Sequence, residues 1–587
     1  PHAPRPSPLM SHHHAAIALR DAFDAYHEAF RRSAHRMSRL FEARDWSAVP
    51  GESAARLDLY REHVLRAIVE IERCTGVRDD HALWTRMRDD YAGLVAGRDD
   101  QEIAETFFSS VTRVVFDTVG VDEAIEFHRP WHDDLPRDGL DASCRIVHLD
   151  GQVTLDDAAR ELLDDLPHRL ADPAADARAL GAALRARVTE AWGSVAPTAV
   201  EILPNVFYRA RGAYRLGRIL GPDRAMPWLV ALRGTERGTV VDALLTDADE
   251  ISIVFGFAWS YFHVDVARPA AMVGYLRGLM PLKRLDELYT GIGYHKHGKT
   301  ELYRELLHHL AQPGAGFEVA EGTPGLVMSV ITLPSFNIVL KIIKDRIGAP
   351  KRTTRLEVVS QYRRVFQRDR VGRLADAQLF QGLAFPRRCF SESLLQELTA
   401  VAPSVVRVEG DRVALAHLYT QRRVRPLNLH LQEVSAAEAD AAILDYGRAI
   451  RELAAANIFT GDLLLKNFGV SRHGRVIFYD YDELAAVTDC NFRRVPAPAT
   501  DEDELSAEPW YHVDDDDVFP EELGTFMVPA GRLRDVFLSE HAELLDADWW
   551  IALQERLRAG EQPEVAPYGE ARRLGAGNGE PGLGTRD

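Results

Sequence analysis

The sequence predicts an α+β protein, mainly helical in its N-terminal half, with a C-terminal half that opens on short strands separated by Gly and Pro. Two observations predict it. Apolar residues recur at helical spacing from about residue 15 to 120 and again over 154–193. From about 317 the pattern changes to short β-branched and aromatic runs separated by Gly and Pro. With 587 residues the chain has room for several domains, each with its own core. Four segments are expected: a disordered leader over 1–14, a helical domain over 15–315, a second domain over 316–567 and a disordered tail over 568–587.

Taken in order, the first stretch, PHAPRPSPLMSHHH, lacks the apolar core of a signal peptide. His12, His13 and His14 read as part of a polar tail in preference to a metal site. Over 15–41, Ile17, Leu19, Phe23, Tyr26, Phe30 and Met37 fall on one broad stripe and predict a long helix. Further helices are expected near 53–74, 83–96 and 101–118. A Pro- and Asp-rich break near 129–142 precedes a second helical group over 154–193. PWLVALRG, GTVVDALL and ISIVFGFAWSYFHV, within 226–266, read as strands. Helices return over 268–311, and the domain boundary follows. The Gly-, Glu- and Arg-rich end reads as disordered.

Composition excludes several function classes. Hydrophobic residues make up 46% and charged residues 27%, the profile of a soluble globular protein. Lys and Arg number 70 against 89 acids, a net charge of −19. Nucleic acid and anionic membrane surfaces both need a basic footprint, so neither is an expected general partner. The longest apolar run, Ile251 to Phe262, is short of the ~20 residues a membrane helix needs. Cys74, Cys144, Cys389 and Cys490 are far apart and form no C-x-x-C pair. A disulfide framework or cysteine-zinc site is not expected, and a cytoplasmic location fits.

Gly293-Tyr-His-Lys-His-Gly298-Lys299-Thr300 satisfies the phosphate-loop pattern. That loop needs a buried strand in front of it, yet LKRLDELYTGIG reads as a helix, and Tyr, Lys and two His are bulky for a tight cradle. A helix–turn–helix corner is the expectation, with a phosphate-loop NTPase using Lys299 and Thr300 as the alternative.

A second set of residues carries more chemistry. Glu321-Gly322-Thr323-Pro324-Gly325-Leu326 stands before the strand-like SVITL, and a glycine turn there lets backbone approach phosphates without a Cβ in the way. Sixteen residues after Gly325, Lys341 ends the apolar run of Phe336-Asn-Ile-Val-Leu. Protein kinases hold the α/β-phosphates with a strand lysine of this kind. Lys344 lies on the opposite face of the strand, so Lys341 is the candidate. The structural alternative is a strand-end lysine reaching solvent. Further on, Asp462 and Asn467 are five residues apart, as Asp and Asn are in the kinase catalytic loop. Thirteen residues after Asn467, past Arg475-Val-Ile-Phe-Tyr, comes Asp480-Tyr481-Asp482-Glu483, where kinases carry D-F-G. Asp462 is then a candidate base, and Asn467 and Asp480 are candidate magnesium ligands, since Mg²⁺ takes one or two hard oxygens from protein. Thr-Gly replaces His-Arg before Asp462, Asp482 replaces the Gly of D-F-G, and no A-P-E follows. A nucleotide-binding pseudokinase scaffold is a further alternative.

Softer candidates accompany these. Glu357 in RLEVVSQYRRVF is either the helix acid that pairs with Lys341 or a solvated helix acid. His417 to Arg423 is a candidate hinge against adenine, or an ordinary strand end. The acidic runs 501–504 and 514–517 read as solvated loops ahead of metal sites.

The chain resembles the bacterial isocitrate dehydrogenase kinase/phosphatase family over roughly 15 to 570, through DALLTDADEISIVFGFAWSYFHVD, ELYTGIGYHKHGKTELYREL, DRVGRLADAQLF and EPWYHVDDDDVFPEE. The resemblance implies a mainly helical N-terminal regulatory domain followed by a bilobal protein-kinase-like domain. It implies one site that, with ATP and Mg²⁺, phosphorylates and inactivates a serine of NADP-dependent isocitrate dehydrogenase, and that also removes the phosphate. It thereby controls flux between the citric acid cycle and the glyoxylate bypass. AMP is the implied allosteric effector. The family's nucleotide loop falls on Ala320, Glu321, Gly322, Thr323, Pro324, Gly325 and Leu326, and its ATP lysine on Lys341. Its active-site aspartate falls on Asp376 in Gly372-Arg373-Leu374-Ala375-Asp376; by chemistry alone a lone Asp at a helix–loop junction reads as a cap. Asp462, Asn467, Asp480 and Asp482 occupy the positions of the base and metal ligands, and Asp482, with Asp376, is the candidate to position water or a second metal in the hydrolytic direction.

Overall fold

The computed structural model describes residues 12–129, 144–256, 261–348, 351, 353–368, 371–497, 511–561, 563 and 565–574. Four helices open it: α1 (His12–Ala43), α2 (Val49–Thr75), α3 (His81–Val95) and α4 (Gln101–Phe116). Leu19, Phe23, Tyr26, Phe30 and Met37 are buried along α1 as their spacing requires, while Ile17 is half-buried at the stripe's edge. The three histidines are the first turn of α1, not part of a disordered leader. His12 Nδ1 lies 2.5 Å from Asp90 Oδ2 on α3, which gives that turn a partner.

After β1 (Arg145–His148), α5 (Leu155–Asp164) and α6 (Pro173–Trp192), the chain builds β2 (Ala199–Ile202), β3 (Phe207–Arg209), β4 (Gly212–Leu220), β5 (Ala225–Thr235) and β6 (Gly238–Leu245). They form an antiparallel sheet in the order β1-β2-β4-β5-β6, with β3 beside β4. The expected strands PWLVALRG and GTVVDALL are β5 and β6. The earlier strands are hidden in sequence because charges sit inside them. Arg215 on β4 is fully buried, paired with Asp165 at 2.5 Å and donating to the Leu162 carbonyl at 2.8 Å. Glu201 on β2 meets Arg218 on β4 at 2.5 Å. Such pairing lets a strand be buried without reading as apolar.

The third expected strand is overturned. Ala248–Val254 is a helix, α7, because Asp247 caps it by accepting N–H groups of Asp249 at 2.9 Å and Glu250 at 3.0 Å. Beyond it, His263 makes one isolated antiparallel bridge to Tyr208, and 257–260 lie outside the described residues. Helices α8 (Pro269–Leu279), α9 (Leu285–Gly291) and α10 (His295–Leu310) complete this half.

The C-terminal half has two lobes. The upper lobe comprises β7 (Glu318–Val319), β8 (Met328–Leu333), β9 (Phe336–Ile343), α11 (Arg355–Arg368), β10 (Ala377–Pro386), α12 (Glu392–Val401), β11 (Val406–Glu409) and β12 (Arg412–Arg422). Its antiparallel sheet runs β10-β12-β9-β8-β7, with β11 on β12. The chain crosses through β13 (Arg425–Pro426) and α13 (Leu427–Glu433) into α14 (Ala436–Ala455). A capping box between Ser435 and Glu438 starts α14, which buries Ile443, Tyr446, Ile450 and Leu453. The small ladder of β14 (Phe468–Val470) and β15 (Val476–Phe478) follows. Then come β16 (Asn491–Phe492), β17 (Asp517–Val518), α15 (Pro520–Met527), α16 (Arg532–His541) and α17 (Ala547–Arg558).

Two further expectations change. The segment 568–574 is packed, not disordered: the Tyr568 hydroxyl donates to Asp242 at 2.6 Å and the Leu574 N–H to the Asp242 carbonyl at 2.9 Å on β6. Residues 1–11, 501–504 and 575–587 lie outside the described residues. In the run 514–517, Asp517 is tied to Asn491 at 2.6 Å and to Arg493. Cys74, Cys144, Cys389 and Cys490 form no disulfide, and no described helix is long and apolar enough to cross a membrane.

Helix α10 joins the two halves. Leu302, Leu306 and Leu310 belong to the same core as Ile331, Leu340, Leu398 and Leu415 of the upper lobe. The phosphate-loop reading fails here. Helix α9, not a strand, precedes the motif, and Lys299 Nζ donates to the Leu379 carbonyl on β10 at 2.8 Å. Gly298 serves packing instead: a Cβ there would sit 2.3 Å from Thr290 Oγ1 and 2.7 Å from the Asp286 carbonyl, so glycine lets α10 lie against α9.

Candidate active site

Strand β9 carries Lys341 into the interior. Its neighbours in register are Val330 on β8 and Tyr419 on β12, and the side chain is buried. A buried ammonium needs polar company. Lys341 Nζ donates to the Tyr479 carbonyl at 2.7 Å and lies 5.2 Å from the centre of the Tyr479 ring. Burial lowers its pKa, opposed by Asp480 and Asp482. Lys344 points the other way and donates to the Gly325 carbonyl at 2.7 Å, tethering the glycine turn.

That turn, 320–326, links β7 to β8 and leaves Glu321 to Leu326 exposed. The Ala320 N–H donates to the Val330 carbonyl at 2.9 Å, and Glu321 pairs with Arg425 at the crossing between the lobes. Gly322 has φ 122°, in the region that favours glycine.

Asp462 and Asn467 sit on one loop below. Gly461 (φ 76°) and Leu463 (φ 50°) on either side of Asp462 are both left-handed. The Tyr446 hydroxyl donates to the Leu463 carbonyl and holds that strained turn. Asp462 Oδ1 accepts from Asn467 Nδ2 at 2.6 Å and from the Leu464 N–H at 3.2 Å. Burial raises the Asp462 pKa; the Leu464 N–H, Lys351 and Lys466 pull it back. With Nδ2 engaged, Asn467 has its amide oxygen left to offer a cation.

Past β15, the Tyr479 N–H donates to the Asn467 carbonyl at 3.1 Å and delivers Asp480 and Asp482 to the same place. Asp482 Oδ1 is buried without a hydrogen-bond partner. Burial first, then the charge of Asp480, pushes Asp482 up to about 7, against Lys341 and Lys351. Asp480 beside the orphaned Asp482 oxygen, with Asn467 tied by its carbonyl to the Tyr479 N–H just before them, offers hard oxygens of the kind that fit Mg²⁺. Among the described residues no group of three or more His, Cys, Asp or Glu forms a metal cage.

The structure therefore brings together Lys341, Asp462, Asn467, Asp480 and Asp482. Asp376 has a different set of charged neighbours. It precedes β10 and faces the helical half: burial raises it to about 7, Gln378 lowers it, and its charged neighbours are Glu287, Asp286 and Lys283. Its Oδ1 has no hydrogen-bond partner. Two softer candidates are corrected. Glu357 does not approach Lys341; it is exposed and closes a capping box at the start of α11, accepting the Thr354 N–H at 2.7 Å. The hinge does not begin at His417, because β12 remains paired to Arg422, and the lobes are joined by 423–426.

Sequence reasoning missed three residues at this site. Tyr479 is one. Lys351 and Glu483 are the others, paired at 2.5 Å across the mouth of the cleft, where Lys351 also faces Asp462 and Asp482. A tyrosine before an acid, or a lysine in a polar connection, carries no signal at the level of sequence.

Protein kinases hold their ATP lysine on the third strand of the upper lobe and follow the catalytic loop with a second acidic loop. The order of parts here is the same, and it defines the class as a protein-kinase-like phosphotransferase fused to a helical domain. Comparison with known proteins is specific. Residues 16–314 match the isocitrate dehydrogenase kinase/phosphatase (AceK) regulatory domain, and 315–570 match the AceK kinase domain. An isocitrate dehydrogenase kinase/phosphatase of Anaeromyxobacter sp. (strain Fw109-5) is 46% identical over 567 residues, covering 95% of this chain and 97% of the relative. That of Xanthomonas euvesicatoria pv. vesicatoria (strain 85-10) is 43% identical over 566 residues, with the same coverage. The chain belongs to the isocitrate dehydrogenase kinase/phosphatase family, and it is an enzyme of the kinase and phosphatase class.

Proposed function

We propose that this cleft uses ATP and Mg²⁺ to phosphorylate a serine of NADP-dependent isocitrate dehydrogenase, and removes the phosphate in the reverse sense. The enzyme would act in the cytoplasm, govern flux between the citric acid cycle and the glyoxylate bypass, and answer to AMP. The observation that carries the reading is the convergence of Lys341, Asp462, Asn467 and Asp480 on one cleft, in a chain whose full-length relatives bear the names of both activities.

Phosphoryl transfer asks the protein for placement and neutralised charge more than for covalent work. Lys341 supplies a fixed positive charge, and the 320–326 turn supplies backbone that closes over the phosphates. Asn467 and Asp480 would hold Mg²⁺, which supplies charge neutralisation on the phosphates when bound. Asp462, fixed by the Asn467 amide and the Leu464 N–H, orients the serine hydroxyl and accepts its proton. Asp482 brings a carboxylate oxygen with no protein partner to the place where kinases carry glycine. That oxygen can orient a water in the hydrolytic direction. Asp376 faces the helical half, which suits a link between the effector-sensing part and the cleft.

The test is incubation with isocitrate dehydrogenase and labelled ATP, scored for label gained and label released. Lys341→Ala should abolish label gained; normal labelling would overturn the site. Asp482→Gly should depress release more than gain. An equal fall in both rates would remove the hydrolytic role from Asp482.

A further inference from the structure

In protein kinases the strand lysine is paired with a glutamate from the helix that follows. Among the described residues that arrangement is absent: Glu357 is exposed and engaged in the cap of its own helix. Among the described residues, the hydrogen-bond acceptor that meets Lys341 Nζ is the Tyr479 carbonyl at 2.7 Å, with the Tyr479 ring 5.2 Å away. The same tyrosine makes two more attachments. Its N–H donates to the Asn467 carbonyl at 3.1 Å, and its hydroxyl donates to the Lys466 carbonyl. One residue thus touches the lysine, the loop of Asp462 and Asn467, and, through the peptide bond, Asp480.

We propose that Tyr479 is a positioning residue that keeps the phosphate-facing lysine and the two cation-facing loops in one arrangement, the task a helix glutamate performs in ordinary kinases. The electron-rich ring favours an ammonium over its face, and the hydroxyl straps the acidic loop to the catalytic loop. Neither feature is required for filling a core. This inference rests on reading the cleft as a phosphotransferase site.

The experiment uses the full chain with Tyr479→Phe and Tyr479→Leu. It measures ATP affinity in the presence of Mg²⁺ by calorimetry, and KM for ATP and kcat for labelling. Tyr479→Leu should weaken ATP binding and lower labelling by about 10–100-fold, as loss of an outer-shell partner does. Tyr479→Phe keeps the ring, so ATP affinity should stay close to wild type. Its kcat should fall by about three- to tenfold, the worth of one hydrogen bond. In a Lys341→Met background Tyr479→Leu should change ATP affinity no further, because it acts through that lysine. Full additivity of the two substitutions would overturn the proposal. If the leucine variant folds poorly, Tyr479→Phe decides alone, and a wild-type kcat sinks the idea. A wild-type protein that binds no ATP would instead refute the phosphotransferase reading itself, so the two failures are distinguishable.

Discussion

Asp376 shows how a single residue acquires its character from its surroundings. It is half-buried, with one carboxyl oxygen enclosed and unpartnered, and its carboxyl is raised from 3.8 to about 7 by that enclosure. A raised carboxyl binds its proton in the folded state at a pH where the unfolded chain has lost it. Its contribution to stability is therefore full below about pH 4 and is lost as pH rises towards 7, at up to about 1.4 kcal/mol per unit. Asp376→Asn keeps the shape and removes the titration. Thermal midpoints of the two proteins between pH 4 and 8 should diverge, the wild type losing more stability as pH rises. Parallel profiles would show that Asp376 is ionised throughout. Neither this burial nor the strap made by Tyr479 is visible in a string of letters, since both depend on what a distant segment places alongside.

At the scale of elements, the segment that introduces β10 is held by Arg373. Its guanidinium is buried and bidentate to both Asp445 and Glu452 of α14, at 2.6–3.2 Å, and it also donates to the Val476 carbonyl at 2.9 Å. One side chain thus joins the upper-lobe connection, the main helix of the lower lobe and β15. Removing it takes the bidentate counter-ion from two half-buried carboxylates, leaving Asp445 only Arg448 at 3.5 Å and Glu452 only Arg475 at 3.3 Å. Arg373→Met should cost about 3–5 kcal/mol, read as a fall in the urea midpoint at unchanged slope. Arg373→Lys should rescue little, because an ammonium lacks the planar fork that both carboxylates grip. The elements themselves were largely legible: α1, α2, α3 and α4 lie where apolar spacing put them, and β5 and β6 where β-branched runs put them. The failures have causes. β2 and β4 bury ion pairs in place of apolar alternation, and the apolar run of α7 follows an Asp whose cap decided for helix.

At the scale of the molecule, the two halves are not beads on a string. Leu306 of α10 is buried in the core of the upper lobe, so the last helix of the N-terminal half completes the lobe that carries Lys341. Leu306→Ala should lose about 2–5 kcal/mol and lower the urea midpoint of the upper lobe together with that of the helical half. A transition confined to one half would show that they fold independently. The shared core also gives a physical route by which events in the helical half reach the cleft, since β10 takes Lys299 and Tyr303 of α10 on its carbonyls.

By itself the sequence determined the class of fold and the family, and it offered Lys341, Asp462, Asn467, Asp480 and Asp482 as candidates, because each stands at a fixed spacing on a strand or loop whose local pattern is strong. Tertiary structure alone decided that Asp376 faces the helical half, that Glu357 caps its own helix, that Lys351 meets Glu483, and that Tyr479 holds Lys341. Those facts turn on contacts between segments far apart in the chain. Local periodicity records which face of an element is buried, not what lies against it.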